Sequence, residues 1–358
     1  IFLYAPLALG LRFYFLDNAL IEPHPWRQTQ TALTILHLFK GTAQLWDYRS
    51  PLHGMLWNNA YEFPVYQWVV ANVMHLGLNL EVASRVVTLF SFALTGVFGF
   101  LLVNEFFDSR TARWFLLLFF VNPFGVIFSR VCLIDFFALS STLASVFGVI
   151  KLRNGNRTLL NWGVFFVGGL VASLGKINIW FFITAAVLLI VAFEYVTRPK
   201  LRGRWQWGLL ALLGLQLCCV LLWNYHRAYH LNSPADTPWL VGELSQRFEG
   251  WRWKKILWTF GVRSLFFDWL TVPFVVGSFC LFRKNKVLFL VVFSVFISHT
   301  LVFFQVQTFH DYYLIACMPY LYAVAAFGMV KIFGASHAAF KPLGFLVVGL
   351  LIYKAMSF

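Results

Sequence analysis

A chain of 358 residues with 60% hydrophobic, 20% aromatic and only 12% charged positions is excluded from the water-soluble globular class, in which about a quarter of positions carry charge. Its formal charge of +14 would point to nucleic acid in a soluble protein. Here the basic residues bracket apolar runs, as topology signals do, and anionic lipid headgroups are the default partner.

Repeated apolar runs of about 15–22 residues fit helices crossing about 30 Å of hydrocarbon. The expected fold is therefore an all-α polytopic membrane bundle, forming one domain over residues 1–358; the alternation of a transmembrane barrel is absent from the sequence. Cys132, Cys218, Cys219, Cys280 and Cys317 sit in or at the ends of apolar runs without zinc-type spacing, which suits packing.

In chain order, residues 1–16 form a first span, expected to be shortened at its start because the chain opens inside an apolar run. Residues 17–63 then make a polar first outer loop. In it Ala32, Ile35, Leu36 and Phe39 recur at helical spacing while Thr31, Thr34, His37 and Lys40 fall elsewhere, the pattern of a helix lying along the membrane surface. Residues 46–59 are rich in turn formers. Residues 64–77 start with proline, end at Gly77 and carry Gln67, Asn72 and His75; at about 20 Å such a helix crosses poorly and reads as interfacial. Clear spans follow at 86–103, 114–128, 136–150, 162–174, 179–193, 207–223, 265–282, 287–304, 312–330 and 342–353, for about eleven in all. Residues 224–264 form a second outer loop in which Trp239, Trp251, Trp253 and Trp258 interleave with Arg247, Arg252, Lys254 and Lys255, a headgroup-level composition.

With this parity one face collects Arg110, Arg113, Lys151, Arg153, Arg157, Arg198, Lys200, Arg202, Arg204, Arg283, Lys284, Lys286, Lys331 and Lys341, and is cytoplasmic by the positive-inside rule. Of the 14 carboxylates, only Glu105, Asp108 and Glu194 fall there. The others lie on the outer face: Asp17, Glu22, Asp47, Glu62, Glu81, Asp135, Asp236, Glu243, Glu249, Asp268 and Asp311. Acidic residues scarcely steer insertion, so this concentration points to chemistry at the outer rim, and polar groups kept beside hydrocarbon point the same way.

The strings WRQTQTA at 26–32 and EFPVYQW at 62–68, with ASRVVTLFS at 83–91, FSRVCLIDFFAL at 128–139 and FHDYYLIACMP at 309–319, resemble bacterial membrane glycosyltransferases of the GT-C superfamily. The nearer likeness is to the aminoarabinose-transferase-like and protein-mannosyltransferase-like group that uses polyprenyl-phosphate sugars. The resemblance covers the chain except residues 224–264. It implies a GT-C-type bundle with interfacial helices in its first outer loop, and an acidic residue in that loop serving as a base or metal-linked acid. Here WRQTQTA holds Gln28 and Gln30 where such a carboxylate would be expected.

A transferase of this kind needs a carboxylate to deprotonate the acceptor hydroxyl and cations to hold the departing phosphate. Glu62, Asp135 and Asp311 are the candidate catalytic residues, against the alternatives that Glu62 and Asp135 cap helices, that Asp135 pairs with Arg130, or that Asp311 is a rim residue. Arg27 is the first phosphate candidate because a guanidinium grips phosphate in a fork; a lipid-headgroup contact is its plainer role. Lys176, in the turn Gly175-Lys176-Ile177-Asn178, is the second, with snorkelling as its rival. Gln28, Gln30, Arg130, His310, Tyr312 and Tyr313 complete the substrate-binding candidates. No spacing specifies a metal, and a divalent cation enters only if the fold assembles His310 and Asp311 with Glu62 or Asp135.

The expected activity is thus sugar transfer from a polyprenyl-phosphate carrier to a glycan, lipid or protein acceptor of the cell envelope, outside the bacterial inner membrane. The alternatives are a secondary transporter, whose mark is paired broken spans near the bilayer midplane, and a catalytically silent GT-C-like subunit of a membrane complex.

Overall fold

The computed structural model describes residues 10–13, 16–20, 23–51, 57–197, 203–233, 237–334 and 349. The expected span at 342–353 and most of that at 1–16 lie outside the described residues. The chain divides into two compact units: residues 16–95 with 131–235, and residues 1–15 with 96–130 and 236–358.

The first of these units begins with α1 (Pro25–Phe39), opened by a proline whose fixed φ suits a first helical turn. Ala32 and Ile35 on its buried face pack against Tyr66, Val70, Ala71 and Met74 of α2 (Val65–Met74). At 1.5 Å per residue α2 is only about 15 Å long, half of what the hydrocarbon core requires. A two-strand hairpin, β1 (Ser50–Pro51) with β2 (Trp57–Asn59), lies between them in sequence. The next helix, α3 (Leu80–Phe106), contributes its first part to this unit and its last part to the other. Its Thr88, Ser91 and Thr95 hydroxyls bond back to carbonyls four residues earlier, which satisfies polar groups inside an apolar helix.

Among the described residues four helices are long and apolar enough to cross a membrane: α3, α6 (Asp135–Arg153), α7 (Leu159–Thr197) and α8 (Trp205–Tyr229). The backbone of α7 leaves helical geometry at Lys176 (φ −156°, ψ 84°), and the neighbours of its two limbs show that it folds back there. The first limb, 159–175, runs against α6: Gly148 of α6 meets the backbone of Asn161 and Phe165, and Gly168 meets Ser141. The second limb returns, so that Glu194 reaches Arg153 at the far end of α6. The limbs measure about 25 and 31 Å, and correspond to the spans expected at 162–174 and 179–193.

Helix α8 then runs parallel to the first limb. Gly208 abuts Trp162, and the buried Gln216 amide donates to the Phe165 and Phe166 carbonyls where Gly169 leaves it room. Close approach at small residues with a polar side chain bonded across is how helices adhere where lipid removes the hydrophobic drive. One end of this bundle therefore carries Asp135, Lys176 and Trp223, and the opposite end Lys151, Arg153, Arg157 and Arg204.

In the other unit, the apolar stretch expected as one span at 114–128 is two helices, α4 (Ser109–Val121) and α5 (Pro123–Phe128). Asn122 is extended between them because Pro123 disfavours helical geometry in the residue before it, and its side chain caps the second helix. Residues 224–264 are not wholly a loop. Asn224 to Tyr229 complete α8, and after α9 (Thr237–Val241) the chain winds through α10 (Gly250–Trp253) into a π-helix, Lys254–Leu265. The span expected at 265–282 accordingly starts later, as α11 (Thr271–Lys284), followed by α12 (Lys286–Val302), α13 (Phe304–Phe309) and α14 (Met318–Phe333). Helices α11 and α14 cross backbone to backbone at Gly277 and Gly328, where any Cβ would collide with the Val324 or Pro273 carbonyl.

Candidate functional site

Four of the charged residues singled out above converge in the unit of residues 16–95 and 131–235. Arg27, in the first turn of α1, forms a charge-assisted bond with each oxygen of Glu62, 3.0 Å to Oε1 and 2.9 Å to Oε2. Gln67, one turn into α2, donates a third bond to Glu62 Oε1 at 2.9 Å. The side chains of Arg27 and Glu62 are only 15% and 13% exposed. At the hinge of α7, Lys176 Nζ lies 2.5 Å from Oδ1 of Asp135, the first residue of α6, with side-chain exposures of 11% and 2%. The two pairs are electrostatic neighbours: the Lys176 ammonium feels both Arg27 and Glu62.

This arrangement removes the capping alternative for both carboxylates and the Arg130 partner for Asp135. Neither caps a helix; Pro64 is the N-cap of α2 and Ile134 that of α6, without a side-chain bond in either case. Asp135 pairs with Lys176 rather than Arg130, because the fold-back of α7 delivers an ammonium to the start of α6. Burial alone would push the Glu62 carboxyl up. The charge of Arg27, its own backbone N–H, and the bonds from Gln67 and Arg27 outweigh that and hold it below the usual carboxylate range.

Around the pairs lies a polar lining with surplus acceptors. Arg27 sits over the Tyr61 ring, 5.1 Å from its centroid, and Gln30 donates to the Tyr61 hydroxyl at 3.2 Å. Asp135 Oδ2, Gln30 Oε1 and Gln67 Oε1 are buried without a hydrogen-bond donor, an arrangement that a globular core avoids and a ligand site needs. Gln28 has a different place. Its Nε2 donates to the Pro23 carbonyl and its Oε1 accepts from the Cys132 amide, 2.7 and 2.9 Å away, so it fastens α1 to the start of α6.

Arg130, His310, Asp311, Tyr312 and Tyr313 belong to the other unit. There Asp311 opens a 3-10 turn, Asp311–Ala316, with Tyr312 and Tyr313 buried and their rings 5.1 Å apart. Among the described residues no three His, Cys, Asp or Glu side chains converge as metal ligands. The Glu62 and Asp135 carboxylates already carry a guanidinium and an ammonium, so a divalent ion at either would have to displace a protein cation; the donor set does not fit a resident metal.

Sequence reasoning passes over Tyr48, Tyr61, Gln67 and Trp223, all of which touch the Glu62 segment. Tyr61 and Gln67 carry a signal, since they adjoin or lie within EFPVYQW at 62–68. Tyr48 and Trp223 carry none.

No protein-family model matches the chain, and no curated protein matches it. Its fold is similar to that of ArnT from Cupriavidus metallidurans, in two solved structures of that protein. In the apo state the TM-score is 0.65 at 16% identity, over 99% of this chain and 63% of the ArnT chain. In the structure bound to undecaprenyl phosphate it is 0.62 at 16% identity, over 99% and 69%. The chain thus spans about two thirds of the length of the structures it matches.

Proposed function

We propose that this protein is an integral membrane glycosyltransferase that moves a sugar from a polyprenyl-phosphate carrier to a hydroxyl of a cell-envelope glycan, lipid or protein. The observation that carries the reading is the pair of neighbouring, desolvated cation–carboxylate contacts, Arg27–Glu62 and Lys176–Asp135. Support for the donor class comes from the shared fold with a protein solved in complex with undecaprenyl phosphate.

Each pair supplies both functions that the reaction needs. In the resting site the cations are held by carboxylates. An arriving phosphate competes for Arg27 and Lys176, and each cation it takes leaves a carboxylate in a buried setting with less opposing charge. A carboxylate so released becomes a better proton acceptor. The acceptor oxygen then attacks the anomeric carbon, the bond from that carbon to the phosphate oxygen breaks with its electron pair going to phosphate, and the hydroxyl proton passes to Glu62 or Asp135. The leaving phosphate gains negative charge in this step, and fixed cations in a low-dielectric pocket stabilise that change more than they stabilise the bound donor. Attack from the face opposite the phosphate inverts the anomeric centre.

The site faces the periplasm of an inner-membrane protein in this reading. The charge asymmetry of the unit supports it, because Lys151, Arg153, Arg157 and Arg204 lie at the end of the bundle away from Asp135 and Lys176. The test is transfer by the purified protein from a panel of undecaprenyl-phosphate sugars to envelope acceptors, with Glu62→Gln and Asp135→Asn measured separately. Loss of transfer in either variant with binding of undecaprenyl phosphate retained is the expected result. Full transfer in both would remove the proposed base.

A further inference from the structure

The short irregular segment that delivers Glu62 has no helix or strand of its own to hold it, yet its backbone groups are taken up by side chains and one carbonyl from distant parts of the same unit. Ser233 Oγ accepts from the Ala60 N–H and donates to the Ala60 carbonyl, both at 3.0 Å, and Arg227 donates to that carbonyl as well at 3.2 Å. The Trp223 indole N–H donates to the Tyr61 carbonyl at 3.2 Å. The Phe63 N–H donates to the carbonyl of Leu174, two residues before Lys176. At the centre is one hydroxyl: Tyr48 accepts from the Tyr61 N–H at 2.9 Å and donates to the Glu62 carbonyl at 2.5 Å. The Tyr48 ring is buried and stacks on Trp223, 6.2 Å between centroids at 7°, and Phe63 meets Trp223 edge-on at 5.1 Å.

Such a set of bonds is more than a loop requires for stability. Irregular backbone can be satisfied by water, whereas here a single donor–acceptor hydroxyl on a buried ring holds the Tyr61 N–H and the Glu62 carbonyl, the peptide groups that flank the Tyr61–Glu62 pair. Burial and the nearby Glu62 charge push the Tyr48 phenol well above its ordinary range, so the hydroxyl keeps its proton and its donor role throughout the physiological pH range.

We propose that Tyr48, backed by Trp223, is a positioning residue that holds the Glu62 carboxylate against Arg27 and thereby sets how far Arg27 is masked from an incoming phosphate. This rests on the transferase reading above, in which Arg27 is a phosphate ligand. It predicts that loosening the clamp has the same sign as deleting the carboxylate: Arg27 is released and phosphate binds more tightly.

The test is a double-mutant cycle of undecaprenyl phosphate affinity, measured on detergent-purified full-length protein for the wild type, Tyr48→Phe, Glu62→Gln and the double variant, with thermal midpoints as a folding control. Tyr48→Phe and Glu62→Gln are each expected to tighten binding several-fold, with the double variant no tighter than Glu62→Gln alone. Should Tyr48→Phe fold poorly, Trp223→Phe, which removes the indole N–H and keeps a ring in the stack, is expected to give the same pattern. Tightening in Glu62→Gln with no change in Tyr48→Phe and Trp223→Phe, or strictly additive effects, overturns the clamp and leaves the transferase reading standing. Absence of undecaprenyl phosphate binding in the wild type and in every variant sinks that reading, and the clamp with it.

Discussion

The two ends of α6 carry the same kind of contact in two different states. At its last residue Arg153 meets Glu194 in a closed fork, Nε to Oε2 and Nη2 to Oε1, each at 2.6 Å. At its first residue Asp135 meets Lys176 through one oxygen, and the other oxygen is buried without a donor. In this fork two guanidinium nitrogens take one carboxylate oxygen each, which fixes the second limb of α7 against α6. A half-satisfied pair costs stability and persists where something else benefits from it. In the transferase reading proposed above, the half-satisfied pair is the one that meets a ligand and the closed fork is structural, and substitutions at the two ends separate these roles.

The largest effect is expected from Lys176→Met. It leaves the Asp135 charge buried and unpaired and should lower stability by about 3–5 kcal/mol. Adding Asp135→Asn should recover most of the thermal midpoint without restoring affinity for undecaprenyl phosphate. Recovery of both would make the pair a structural contact like Arg153–Glu194.

A second, pH-dependent effect is expected at Arg27. Because the Glu62 carboxyl is held below its ordinary value, Glu62 adds stability that is complete above about pH 5 and is lost as pH falls through the unfolded and then the lower folded value. In Arg27→Ala burial is opposed only by weaker bonds, the carboxyl rises above its unfolded value, and the sign reverses. The thermal midpoint of the variant, scanned from about pH 5 to pH 7, should fall with rising pH where the Glu62 contribution in the wild type is flat. Parallel profiles would show that Arg27 does not control Glu62.

The smallest effect belongs to the closed pair. Arg153→Lys exchanges a fork for a point charge and should cost about 1 kcal/mol or less in thermal unfolding. It should leave undecaprenyl phosphate affinity unchanged, and a shift in affinity would erase the distinction between the two ends.

The members of the site are legible in the sequence one at a time. Charge density between apolar runs marks Arg27, Glu62, Asp135 and Lys176 individually, since ionisable residues beside hydrocarbon need a reason to be there. Their pairing is not legible, because it depends on α7 folding back at Lys176 and bringing residue 176 to residue 135, and no local pattern encodes that contact. For the same reason sequence proximity offers Arg130 as the partner of Asp135, where the fold supplies Lys176. The break at Asn122–Pro123 can be read from proline chemistry, yet the apolar run across it masks the signal. Tyr48 is invisible in a stretch of turn formers, where nothing distinguishes a tyrosine that faces lipid headgroups from one that holds two peptide groups. The Trp- and Lys-rich residues 224–264 read as an outer loop because their composition reports depth, and composition carries no sign of the π-helical winding at Lys254–Leu265.

If Arg27 and Lys176 are phosphate ligands restrained by carboxylates, affinity for undecaprenyl phosphate depends on both, and it is measured on wild type, Arg27→Ala and Lys176→Ala. A charge-assisted contact contributes about 1.5–3 kcal/mol, so each substitution should weaken binding by roughly 10- to 100-fold. Binding that is unchanged in both variants would contradict the account.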